Sequence, residues 1–310
     1  GGCGTQTSAL GFGGINGTAF NATEEFSSGV SPYAAWSTGG SLGTGRYKLA
    51  GCGTQTAGLG FGGYTGAPSY VLQNATEEYN GSAWTVGGNM ATARRLLGGA
   101  GTQTAGLGFG GGTPSITNAT EEYDGSAWTA GGSLGTSRYL IAGAGTQTAG
   151  LAFGGYPGAS AAGTEEYDGS AWTGGGSLGT GRQGLGGCGT QTAGLAFGGT
   201  PTGATATEEY NGSSWTAGGA MNTGRSNIGA AGIQTAALGF SGYIGPVTAA
   251  TEKYDGTSWT TISSMSTARR YLGGAGTQAA ALGFGGTPSG VTTTEEYNEF
   301  GPSTATITTT

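Results

Sequence analysis

The chain contains no histidine, and its 310 residues include only three cysteines, three methionines and eight prolines. Without imidazole it lacks the commonest general base near neutral pH and the commonest metal ligand, which argues against metal-dependent oxidase chemistry. Charged residues make up 9% of the chain, lysine and arginine form no run, and the formal net charge is −7. A surface that tracks phosphates is therefore not expected, and nucleic acid is set aside as a partner. No stretch approaches the roughly 18 uninterrupted apolar residues of a membrane-crossing helix, so membrane insertion is not expected. Gly1-Gly2-Cys3-Gly4 shows neither the basic start nor the apolar segment of a signal peptide. These residues match the middle of a repeat, so the sequence is expected to be a segment of a longer or processed chain.

What the chain has in abundance is glycine, 73 residues of it, and repetition. One sentence, roughly G-T-Q-T-A-G-L-G-F-G-G followed by T-E-E-Y-D-G-S-A-W-T and a later T-x-R, occurs seven times. Its glutamines, Gln6, Gln55, Gln103, Gln147, Gln191, Gln234 and Gln278, are spaced by 43 to 49 residues. Such a period marks a supersecondary unit that cannot bury its apolar face without a neighbour. Of 30 aromatic residues, 20 fall at three repeat positions: the Phe of L-x-F, the aromatic of E-x-Y, and Trp36, Trp84, Trp128, Trp172, Trp215 and Trp259. That is a core plan. Cys3, Cys52 and Cys188 share a position held elsewhere by Ala100, Ala144, Ala231 and Ala275, which reads as a small buried slot rather than a disulfide or metal ligand.

Each unit parses into four short strands with no helical periodicity. In the second copy, residues 47 to 54 give the first, Gly58 to Gly62 the second and Ala75 to Tyr79 the third. Asn80-Gly81 then turns a tight hairpin into a fourth around Trp84. Alternation places Leu59 and Phe61 on one face and Gly58, Gly60 and Gly62 on the other, so large side chains can seat against a neighbour's glycine backbone. The first strand, all Gly, Ala and Cys, is expected innermost. Four-stranded units of this period, closed radially, describe an all-β, seven-bladed β-propeller of four-stranded antiparallel blades spanning residues 1 to 310 as one domain. The last copy lacks a Trp, and counting from Tyr297 nominates Thr304 to Thr309, around Ile307, as the seventh outer strand. Both termini then serve their own blades.

Gly62-Gly63, Glu77, Tyr79, Trp84 and the Met90, Thr92, Arg94 start of the next unit resemble the kelch repeat family over essentially the whole chain. The wording G-T-Q-T and T-E-E-Y-D-G-S-x-W is similar to kelch-like repeats of marine cyanophage virions and tail fibres. These resemblances imply a non-catalytic virion surface or fibre module, extracellular, whose partner is a host surface glycan or receptor or another virion protein; homo-oligomerisation stays open. The alternatives are a sialidase-like propeller glycoside hydrolase and a host surface or extracellular structural protein.

The charges also obey the repeat. Six arginines (Arg46, Arg94, Arg138, Arg182, Arg225, Arg269) share one position and are expected to contact the first Glu of E-E, with the second Glu solvated. Even distribution argues against a sialidase-like arginine cluster, and carboxylates adjacent on a strand point to opposite faces, so no catalytic residue, metal or cofactor is assigned. The glutamines either form a ring of amides for a polar ligand or bond backbone of the adjoining blade. The copies diverge most after the double glycine, on the face that also carries the fourth-to-first connections. Variable loops on a rigid scaffold are where recognition concentrates, so Tyr64, Tyr70, Leu72, Tyr156 and Tyr243 are the candidate ligand-binding residues.

Overall fold

The computed structural model describes residues 2–5, 8–15, 19–27, 34–66, 70–159, 161–200, 205–288, 290–299 and 308–309, as backbone alone for those up to 33 and for 308–309. The chain divides into two compact units, Trp36–Tyr297 and a smaller one of Gly1–Ala35 with Asn298–Thr310. All described secondary structure is β.

The larger unit is a β-propeller of six blades. The first consists of Ala50–Gly53, Gly58–Phe61, Thr76–Tyr79 and Trp84–Val86, paired antiparallel in chain order. The innermost strands form a closed ring: Ala50–Gly53, Gly98–Thr102, Ala142–Gly145, Gly186–Gly189, Gly229–Ile233, Gly273–Gly276, and back to the first. As expected, they are the small-residue strands. The hairpin chemistry also holds, with Gly81 at φ 90° and Asn80 Oδ1 accepting from the Ser82 and Ala83 amides.

Seven repeats thus make six blades, which corrects the seven-bladed expectation. The sixth blade takes three strands from the last copy, Gly273–Gly276, Ala280–Phe284 and Thr294–Asn298, and its outer strand, Ala35–Gly39, from the first. Trp36 is the tryptophan that the last copy lacks. Its Nε1 donates to Thr251 Oγ1 of the fifth blade at 3.1 Å and its ring lies 5.0 Å from Phe240. The other five tryptophans make the same contacts, as when Trp84 donates to Thr294 at 2.9 Å and packs 4.7 Å from Phe284. With Trp36 in place, the ring is already complete. The strands of the first copy, Gly2–Thr5, Ser8–Ile15 and Ala19–Ser27, instead form a separate four-stranded sheet with Thr308–Thr309. Of the predicted seventh outer strand, Thr304 to Thr309, the described part, Thr308–Thr309, pairs with Ala19–Ser27 of the first copy instead of completing the blade of Tyr297, and the rest, Ile307 included, lies outside the described residues.

Blade stacking follows the bulky-face, bare-face logic. A methyl group on Gly108 would sit 2.9 Å from Phe61 of the preceding blade, and one on Gly106 would sit 2.7 Å from Leu59. Each repeat arginine is buried on the connection entering its blade. Arg94 donates to Glu121 at 2.9 Å and to the carbonyls of Gly110 and Ala119 at 3.0 and 2.7 Å, while Glu121 accepts from the Ala91 amide at 2.7 Å. All six described pairs span 2.7 to 3.0 Å.

Trp36→Ala should therefore destabilise the propeller by about 3 kcal/mol, at the lower end for a large core aromatic because Trp36 is only partly buried, and close to the effect of Trp84→Ala. Urea unfolding followed by fluorescence or circular dichroism checks it; a change under about 1 kcal/mol would contradict closure through this strand. Glu121→Ala, which strands the Arg94 charge in the core, should cost about 3 to 5 kcal/mol by the same measurement.

Candidate functional site

The two ends of the propeller differ in chemistry. One carries the first-to-second turns and the third-to-fourth hairpins, and its polar groups are committed to structure. Gln103 Nε2 donates to the carbonyls of Gly58 and Tyr79 in the preceding blade at 3.0 and 2.7 Å, and Gln55, Gln147, Gln191, Gln234 and Gln278 do the same. These amides stitch blades together, and Gln6 lies outside the described residues. Asp124 Oδ1 accepts from the Ala127 and Ser126 amides at 2.8 Å, bonds that hold its carboxyl below the usual carboxylate range.

The second Glu of E-E is also structural, contrary to the solvated role read from sequence. Tyr123 donates to Glu78 at 2.6 Å across the blade junction, and Tyr79, Tyr167, Tyr210 and Tyr254 donate likewise to Glu296, Glu122, Glu166 and Glu209. Cys52 and Cys188 are buried free thiols, pushed up to about 12 by burial, consistent with inert core positions; the side chain of Cys3 is outside the described residues.

The opposite end is built on the two residues that follow each repeat arginine. The second of them, Lys48, Leu96, Leu140, Gly184, Asn227 and Tyr271, adopts left-handed backbone in every blade, with φ from 54° to 60°. This conformation turns each amide toward the preceding blade's carbonyl. Lys48 donates to Tyr271, Leu96 to Lys48, Leu140 to Leu96, Gly184 to Leu140, Asn227 to Gly184 and Tyr271 to Asn227, at 2.6 to 3.2 Å. The result is a closed circle of six hydrogen bonds around the axis. Beneath it, Leu49, Leu97, Ile141, Leu185, Ile228 and Leu272 complete the walls of an axial cavity of about 130 Å³.

The first residue after each arginine pairs with the first after the double glycine: Tyr47 with Tyr64, Arg95 with Gly112, Tyr139 with Tyr156, Gln183 with Thr200, Ser226 with Tyr243 and Arg270 with Thr287. The candidate residues therefore surround this mouth. Tyr64, Tyr70 and Leu72 occur together in the first blade, where Tyr64 bridges to Leu72 and its ring lies 6.3 Å from Tyr70. Tyr156 packs 5.5 Å from Tyr139 in the third, and Tyr243 lies under Arg270, at 4.5 Å, in the fifth. Tyr70 is 53% and Tyr243 37% exposed. The structure brings the five to one end but not into a single contact cluster.

Sequence reasoning missed Tyr47, Lys48, Arg95, Tyr139, Arg270 and Tyr271, which link those loops to the axis. Lys48 lies over the rings of Tyr47 and Tyr271 at 5.0 and 5.3 Å, and Arg95 over Tyr64 at 5.1 Å. Lys48, Arg95, Pro114, Ile116, Tyr139 and Tyr271 border a second cavity of about 380 Å³. Burial, then the positive charges of Arg95 and Arg270, pull the Lys48 ammonium below its ordinary value. The signal was present: after a constant arginine the six copies read Y-K, R-L, Y-L, Q-G, S-N and R-Y.

Comparison of the chain with models of known protein families and with curated proteins found no match.

Burial and the bond to glutamate push Tyr79, Tyr123, Tyr167, Tyr210 and Tyr254 up to about 12. A hydroxyl held above its unfolded value of about 10 contributes stability that is complete below about pH 10 and is lost as pH rises toward about 12. The urea midpoint should fall across that window, and five tyrosinates should appear in ultraviolet absorbance only as the protein unfolds. Titration of all tyrosines in the folded state near pH 10 would contradict it.

Proposed function

We propose that the chain is a non-catalytic, kelch-like recognition module of a virion surface or fibre, which binds a host surface glycan or receptor through the tyrosine-rich end of its six-bladed propeller. One observation carries this reading: the sorting of side chains that the scaffold does not need. Of fourteen tyrosines, six are core, Tyr33 lies outside the described residues, and the other seven (Tyr47, Tyr64, Tyr70, Tyr139, Tyr156, Tyr243, Tyr271) share one end. Of ten lysines and arginines, six are buried in ion pairs, Lys253 lies on a third strand, and Lys48, Arg95 and Arg270 join those tyrosines. Tyrosine offers a rigid apolar ring with a hydroxyl at its edge, a residue suited to recognition.

The glycosidase alternative gains nothing from this arrangement. The repeat position cannot supply an arginine cluster, since all six repeat arginines are 2% exposed or less and engaged by glutamate, which leaves only Arg95 and Arg270 for one. Contact with another virion protein through the same end is the second use of the surface.

The paired variant Tyr64→Ala, Tyr70→Ala tests the proposal. Its thermal midpoint should change little, because Tyr70 is exposed and Tyr64 packs on Tyr47, Tyr70 and Arg95 rather than in the blade core. Attachment to host cells should fall by roughly tenfold or more. Full attachment by the folded variant would rule out this surface, and loss of particle incorporation with attachment retained would assign it to assembly.

A further inference from the structure

We propose that the cavity of about 380 Å³ beside the axis is a site for an anionic sugar, a saccharide ring bearing a carboxylate or a sulfate. The inference deepens the recognition role proposed above and rests on it.

The first reason is charge. Lys48 and Arg95 come from different blades yet border the same cavity, and Arg270, from a third, acts on Lys48 as a like charge. Among the described residues none of the three forms an ion pair. In a chain whose formal net charge is −7, three cations have been gathered at one mouth with no ion pair to a described carboxylate. Like charges held together without a counter-ion destabilise one another, and a bound anion relieves that repulsion.

The second reason is shape. Tyr139 and Tyr271 line the cavity, and its volume falls in the range of small-ligand sites. An acidic peptide would carry the same charge, but the backbone around the cavity is already paired. Arg95 and Gly112 exchange both hydrogen bonds at 3.2 and 2.9 Å, and the axial circle uses the amides of Lys48, Leu96, Leu140 and Tyr271. The strand edge that borders it, Ser115–Ile116, is only two residues long, a short template for an extended peptide. Cationic side chains remain, beside tyrosines that line the cavity, and these suit a compact charged ring.

The repeat itself supplies the test variants. Asn227 occupies the position of Lys48 in another blade with the same left-handed backbone, and Gln183 occupies that of Arg95. The double variant Lys48→Asn, Arg95→Gln should fold with a thermal midpoint equal to or above that of the wild-type chain, because it removes like charge and puts at 48 a residue that tolerates a left-handed φ. Calorimetry should compare a glucuronate-containing oligosaccharide, a sulfated one, their neutral counterpart, inorganic sulfate and an acidic peptide. The wild-type chain should bind at least one acidic oligosaccharide roughly tenfold or more tighter than the neutral one, weakening with salt, and the double variant should lose that difference. Equal affinity for acidic and neutral sugars, no binding of either acidic sugar, retention of the preference by the double variant, inorganic sulfate binding as well as the saccharide, or tighter binding of the peptide would each overturn the proposal. If cell attachment still depends on Tyr64 and Tyr70 while the acidic preference is absent, only this inference fails. If the preference is present but attachment ignores those tyrosines, the broader reading fails instead.

Discussion

Everything in the propeller depends on one blade being seated on the glycine backbone of the next. Phe61 and Leu59 reach across the junction to positions where a Cβ on Gly108 or Gly106 would collide, and Trp128 then closes over Phe61 at 4.8 Å while its Nε1 donates to Thr76. The same wedge recurs around the circle. An isolated blade would leave its Leu and Phe in water and its threonine without the indole donor. Stability is therefore a property of the closed ring, and the abundance of glycine follows from the close approach this seat requires.

The ion pairs serve the same end. A buried arginine with five donors is costly to desolvate, and a buried pair is weak evidence of net stabilisation. Here each guanidinium also fixes two carbonyls, as Arg138 does with Gly154 and Gly163, and each glutamate anchors the amide of the incoming connection, as Glu165 does with Gly135. The pair thus sets where the chain enters a blade, which in turn fixes the residues that follow the arginine at the axial mouth.

Much of this was legible in the sequence. The four-strand unit, the inner small-residue strand, the glycine seats and the arginine–glutamate pairing all follow from alternation and spacing. The blade count did not, because the ring is sealed across the termini: five blades each take their four strands in chain order from one copy, whereas the sixth joins three strands of the last copy to the outer strand of the first. Two anomalies pointed to this, the missing tryptophan after Tyr297 and the ten residues from Phe26 to Trp36 against five elsewhere. They describe one displaced strand. The second glutamate was misread because a residue facing away from its own blade's partner was equated with one facing water, while the neighbouring blade supplies Tyr123 or its equivalent. The loop tyrosines were legible as divergence, whereas Lys48, Arg95 and Tyr271 were hidden inside what read as the start of a strand.

That hidden position explains how the scaffold tolerates variety at its mouth. The axial circle is made by backbone amides and carbonyls alone, so it places no demand on the side chain beyond accepting a left-handed φ. For residues other than glycine this costs about 1 to 2 kcal/mol each, and Leu96, Leu140, Lys48 and Tyr271 bear it where Gly184 does not. A chain of 73 glycines, which holds glycine at nearly every other described left-handed position, has left four bulky residues in a strained conformation around one opening. Glycine there would relax the backbone but remove the walls of both cavities. Strain retained at a position where the repeat itself offers a less strained residue points to use of the side chains. The same circle that closes the ring thus holds, at fixed spacing around the axis, the least repetitive residues of the repeat.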